Sequence, residues 1–185
     1  MKKKILAVIV VLAISLTAMA GCTVSIGKTG GGNNPTSAAG GGGAAGTVVP
    51  SVTVPSGWAK NDNAPSGTLT YNCTDKNKAQ GATITLLSSD MLGTNMKTAK
   101  DYAQDVLNRL KDGDSKYTFS AITTTTVGGM DAAEFTQESK SAKQRLVYVV
   151  KGIMAYGIMC TVVPPEDYDK VSDDFQSMID SYTLK

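Results

Sequence analysis

From residue 99 onward, apolar side chains recur at i, i+3, i+4, i+7, i+8 and i+11: Ala99, Tyr102, Ala103, Val106, Leu107 and Leu110. That spacing lays one stripe along an α-helix. Thr98 stands at its N-cap with Asp101 three residues on, a variant capping box, and Gly113 suits the left-handed position that ends a helix. Before this helix the period is two. Leu69, Tyr71 and Cys73 share one face of a strand over 68–73, and 82–88 (ATITLLS) reads as a second strand. After it, the Thr-rich stretch 117–127 reads as a strand ending at Gly128-Gly129, with 132–137 pairing back as a hairpin. Residues 145–150 and 153–163 are two further strands, with Lys151-Gly152 as the turn between them and Pro164-Pro165 as the stop. The helical period then returns in Tyr168, Val171, Phe175, Met178, Ile179 and Tyr182.

The predicted order is β-β-α-β-β-β-β-α, with a further short strand near Trp58 after the Pro55-Ser56-Gly57 turn. Hairpin connections imply an antiparallel sheet, and two amphipathic helices cover it. This makes the chain α+β.

The first fifty residues follow another logic. Lys2, Lys3 and Lys4 precede an apolar run from Ile5 to Ala18, broken only by Ser15 and Thr17. The run is short for a membrane span, which needs about 20 apolar residues, and fits the h-region of a signal peptide. Met19-Ala20-Gly21-Cys22 follows and resembles the bacterial lipobox, in which small residues precede a cysteine that receives a diacylglyceryl thioether. Residues 23 to about 50 are dominated by Gly, Ala, Ser, Thr and Asn without hydrophobic period, the composition of a disordered tether. The sequence thus divides into a leader over 1–21, a lipidated Cys22 with its tether over 22–51, and a domain over 52–185. Gly27-Lys28-Thr29 mimics the end of a P-loop, but Cys22 stands where its first glycine belongs, and no strand precedes it.

Charge and composition remove several function classes. Three of the 18 basic residues lie in the leader and all 16 acidic ones follow Cys22, so the chain beyond the leader is net −1. Nucleic-acid binding needs clustered positive charge, and Lys140, Lys143 and Arg145 are too few. There is no histidine. Ser-His-Asp and Cys-His catalysis are therefore absent, together with the commonest metal ligand.

Cys73 and Cys160 both fall in predicted strands, and two readings stand. Outside the cytoplasm they could form a disulfide, worth roughly 4–5 kcal/mol in the chain-entropy model. Alternatively they are reduced and behave as small core hydrophobes. As a nucleophile neither has a base to activate it. Asp112-Gly113-Asp114-Ser115 hints at a calcium loop, but Thr123 occupies the position where an EF-hand places Glu. The acids from Asp167 to Asp174 read as a solvated, dipole-favourable helix start. Trp58, Tyr102 and Tyr156 are the candidates for a binding surface, against the plainer alternative that they supply core area. No metal site and no cofactor is expected.

Val54-Pro55-Ser56-Gly57-Trp58, the helix TAKDYAQDVLNRL, the Gly-Gly turn before MDAAEF, the LVYVVKGIMAYGIMCTV hairpin and the terminal YDKVSDDFQSMIDSYTL segment together resemble PsbP-like domains. This is the fold of the extrinsic photosystem II protein and of DcrB-like bacterial lipoproteins. The resemblance covers about residues 52–185. It implies an αβα sandwich around a central antiparallel sheet and a non-catalytic role as assembly factor, scaffold or surface protein. It brings no catalytic residue to carry over, and the metal contacts of photosystem members use histidine in part. The functional expectation is a non-enzymatic module of the cell envelope, anchored to membrane lipid through Cys22 and binding an envelope protein. The alternative is a carrier of a small or lipophilic ligand, held between the sheet and the helix that bears Tyr102 and Leu107.

Overall fold

A computed structural model describes residues 48–113 and 116–185. The leader, Cys22, the tether up to residue 47, and Asp114-Ser115 of the Asp-Gly-Asp-Ser segment lie outside the described residues. The elements are β1 (Pro50–Ser51), β2 (Trp58–Lys60), β3 (Leu69–Cys73), β4 (Thr83–Asp90), α1 (Ala99–Gly113), β5 (Thr118–Phe119), β6 (Thr123–Val127), β7 (Met130–Glu138), β8 (Lys143–Lys151), β9 (Met154–Val162), a 3₁₀ turn (Pro165–Lys170), α2 (Ser172–Asp180) and β10 (Thr183–Leu184).

Every strand pairing is antiparallel. The main sheet runs β2-β3-β4-β9-β8-β7, and β5 and β6 pair in succession with the outer edge of β7. The expected single strand over 117–127 is thus divided. Thr118 pairs with Glu138 but Thr123 with Glu134, so one extra residue enters between them, as in a β-bulge. At the break the Ser120 hydroxyl accepts the Thr136 amide at 2.9 Å, a bond a backbone carbonyl would otherwise take.

The β6–β7 turn is Gly128-Gly129, with φ of 56° and 75°, the left-handed pair a two-residue hairpin needs. The β8–β9 turn differs from the expectation by one position. Lys151 pairs with Met154, so the turn is Gly152-Ile153, with Gly152 at φ 63°. Gly113 is the last helical residue of α1 and is not left-handed.

The register assigns the two faces. Ala133, Phe135, Leu146, Tyr148 and Ala155 point to one face, where Ala99, Tyr102, Ala103, Val106 and Leu107 of α1 close over them. Ala132, Val147, Val149, Tyr156, Ile158, Cys160, Ile84 and Leu86 point to the other. There α2 and its flanks contribute Val171, Phe175, Met178, Ile179 and Tyr182. The result is a three-layer α+β sandwich with one core on each side of the sheet.

The terminal segments add what no local pattern announced. Pro50 and Ser51 pair with Leu184 and Thr183 as a separate two-stranded ribbon, closed by Val49–Lys185 backbone bonds of 2.7 and 3.2 Å. Regular structure therefore begins two residues before the boundary read from the sequence, because a partner strand 132 positions away is present to pair with it.

Candidate functional site

The three aromatic candidates are core residues. Trp58 is 8% exposed, Tyr102 2% and Tyr156 4%. Nor are they together: Tyr102 is on the sheet-facing side of α1, while Trp58 and Tyr156 lie on the opposite face of the sheet. They form no binding surface, because a domain with so few aromatics uses them as core volume. Tyr102 meets Tyr148 edge-on at 5.2 Å, and Tyr148 lies 6.2 Å from Phe135. With Leu107 and Leu146 these rings occupy the space between sheet and helix where a carried ligand was to sit.

Cys73 and Cys160 are free, buried thiols. Both face the α2 side, but Tyr71 pairs with Ile84 and Ile84 with Cys160, so β4 stands between their strands. Adjacent strands are about 4.8 Å apart, and two such steps exceed the reach of a disulfide. Burial pushes the Cys160 thiol up to about 12, which keeps it protonated and unreactive.

Polar groups sequence reasoning left to solvent instead anchor α2. Asp174 Oδ2 accepts from Trp58 Nε1 at 2.8 Å and from Lys78 Nζ at 2.7 Å. Asp174 is thus no solvated acid, and its bond holds the Lys78 ammonium above its ordinary pKa. Arg145 donates to Glu134 from Nε and Nη2 at 2.9 and 2.7 Å, and from Nη1 to Gln176 at 2.8 Å. Lys143 lies 4.6 Å over the Tyr168 ring. Two members of the short basic run are therefore engaged in structure. Among the described residues no group of three or more acids and cysteines is placed to hold a metal.

Two hollows among the described residues flank the terminal ribbon. One, of about 390 Å³, lies between Gly128, Met130, Val150 and Lys151 and the ribbon residues Thr183 and Leu184. The other, of about 230 Å³, lies between Val49 and Pro50 and Leu69, Leu86 and Leu87. Lys151 is the one ionisable side chain in either lining. Such surfaces can bind and exclude water; they lack the paired titratable groups of acid–base chemistry. Gly128 is fixed here by contact, since a Cβ on it would meet the Tyr182 carbonyl at 2.4 Å. The large apolar side chains exposed among the described residues are Val49, Leu92 and Ile153. Leu92 and Ile153 occupy turns, where polar residues are the norm. That displacement was the one readable signal for this end of the molecule.

Residues 51–184 match the model of a family described as Serine/threonine kinase C-terminal domain. No curated protein matches the sequence. Among solved structures, LpqN of Mycobacterium tuberculosis, involved in cell envelope biogenesis, is 18% identical over 78% of this chain and 87% of that one, with a TM-score of 0.56. The Ran-binding protein Mog1p of Saccharomyces cerevisiae is 10% identical over 73% of this chain and 89% of its own, at 0.53. Cyanobacterial PsbP from Synechocystis is 12% identical over 80% and 98%, at 0.49. The likeness to LpqN and Mog1p is one of fold, and that fold is the PsbP-like α+β sandwich.

Proposed function

We infer that this chain, which belongs to the Serine/threonine kinase C-terminal domain family, is an extracytoplasmic lipoprotein whose folded domain binds or helps assemble a protein partner of the cell envelope, without catalysing a reaction. The observation that carries this reading is the order of features on one chain. A basic start, an apolar run, Ala20-Gly21-Cys22, a glycine-rich stretch and a domain opening at β1 follow one another directly. Each buried acyl methylene contributes about 0.8 kcal/mol, so two or three chains on Cys22 hold the molecule firmly. Among the described residues no helix is long and apolar enough to cross a membrane.

The family is described by a position, the C-terminal domain of a serine/threonine kinase, and not by a reaction of its own. The chemistry of such a kinase is not in these residues: without histidine there is no His-Arg-Asp catalytic loop. Both cysteines are buried, burial keeps the Cys160 thiol protonated, and the two hollows hold no acid–base pair. The envelope role of LpqN, a protein of the same fold, supports the address.

Metabolic labelling with radioactive palmitate tests the anchor. Label should enter the wild-type chain and be lost in Cys22→Ser; no label, or equal label in both, rejects it. Crosslinking in intact membranes tests the partner. Recovery of no protein, together with a lipid bound to the domain in native mass spectrometry, would reject the assembly role.

A further inference from the structure

We propose that the end of the domain bearing Val49, Leu92 and Ile153 is a lipid-contact surface that seats the domain on the bilayer in one orientation. The proposal rests on the lipid-anchored reading above and adds to it which way the domain faces. Val49, Leu92 and Ile153 are 54%, 67% and 56% exposed, whereas the other large apolar side chains among the described residues are buried or half-buried.

They gather at one end of the sheet. The Met91 amide donates to the Ile153 carbonyl at 2.9 Å, and Asp90 pairs with Met154, so Leu92 and Ile153 project from adjoining turns. Val49 lines the same hollow as Leu86, Leu87 and Ser88, on the half of β4 that runs toward those turns. The ribbon partner of Pro50, Leu184, borders Lys151 at the same end.

Topology supplies the occupant. The chain joining the domain to Cys22 enters through Val49, beside the exposed apolar groups. Only residues 23 to 47 separate Cys22 from the described domain, so the end that carries Val49 is the end tied to the acylated residue. The opposite end offers no such groups among the described residues; its β7–β8 connection is Ser139-Lys140-Ser141-Ala142, with Ala142 buried. Charge at the apolar end is nearly balanced, with exposed Lys97, Lys151 and Lys185 and exposed Asp90 and Asp131. The contact is therefore apolar insertion at the headgroup boundary, with little dependence on salt.

The test uses the full acylated chain in vesicles of phosphatidylethanolamine and phosphatidylglycerol. A fluorescent nitrobenzoxadiazole label is placed through Lys151→Cys or Lys140→Cys; Cys73 and Cys160 are buried and stay unlabelled in the native protein. Lipids carrying shallow doxyl groups should quench the label at position 151 several-fold more than that at 140. Adding Leu92→Asp and Ile153→Asp should bring the two to the same level. Equal quenching at both positions while the protein still floats with the vesicles would overturn the orientation and leave the anchor standing. Loss of flotation would overturn both. A blue shift at 151 that depends on protein concentration and not on lipid would reassign the surface to a second copy of the chain.

Discussion

The helix over one face of the sheet and the helix over the other are held by different means. α1 has fifteen residues and carries its own instructions. The Thr98 hydroxyl accepts the Asp101 amide at 3.1 Å, and the Asp101 carboxylate accepts the amides of Thr98 and Lys97 at 3.0 and 3.2 Å. Gln104–Asn108 and Asp105–Arg109 pairs line its outer side at i,i+4 spacing. α2 has nine residues and no side-chain cap. Isolated helices below about 12 residues are marginal in water, so α2 depends on what grips it: Trp58 and Lys78 on Asp174, Arg145 on Gln176, and the Trp58 ring 5.5 Å from Phe175. One helix is specified by its neighbours in sequence, the other by its neighbours in space.

Several substitutions test that contrast. The largest effect falls on Phe175→Ala, which empties a fully buried site between α2 and the sheet. It should cost about 3–5 kcal/mol in urea unfolding, with amide exchange rising first in α2. If α1 exchanged first, the helices would not be held as described. Asp174→Ala comes next, leaving the buried end of Trp58 and the Lys78 ammonium without an acceptor. A loss of about 1–3 kcal/mol is expected, with Asp174→Asn milder because it keeps an acceptor oxygen. Thr98→Ala removes the cap of α1 and should cost about 1 kcal/mol. A larger loss there than at Asp174 would reverse the ranking of local over tertiary control.

The capping carboxylate also gives a pH signature. The hydrogen bond from Thr98, with those from the backbone, holds Asp101 below its ordinary 3.8. A depressed acid stabilises the fold above its unfolded pKa, and that contribution fades as pH falls through the folded value. In Asp101→Asn the acid limb of the stability curve should be shallower; an unchanged limb would show the box to be silent in solution. The smallest effect concerns the thiols. Cys73 and Cys160 should ignore Ellman's reagent in the native protein and both react in denaturant, whereas silence in denaturant would mean they are bonded.

The same contrast explains what could be read in advance. The α1 stripe, its box, the Gly128-Gly129 turn and the strands expected over 68–73, 82–88, 145–150 and 153–163, each matched by an observed strand with ends shifted by one or two residues, all rest on local period or turn chemistry. The division of 117–127 did not show, because the Ser120 bulge is set by where Thr136 lies across the ladder. The ribbon of Pro50–Ser51 with Thr183–Leu184 did not show either, since two residues carry no period. Trp58 could be seen as important, but whether it faced a ligand or a core depended on Asp174 and Phe175 lying beside it.

By itself the sequence determined the α+β class and the absence of histidine chemistry, because periodicity and composition are properties of the chain; the αβα layering was implied only by the PsbP-like resemblance. Only the tertiary structure decided that Cys73 and Cys160 are parted by β4, that Asp174 is an anchor, and that Val49, Leu92 and Ile153 share one end. Those facts are distances between residues far apart in sequence, and no local propensity encodes which strand becomes whose neighbour.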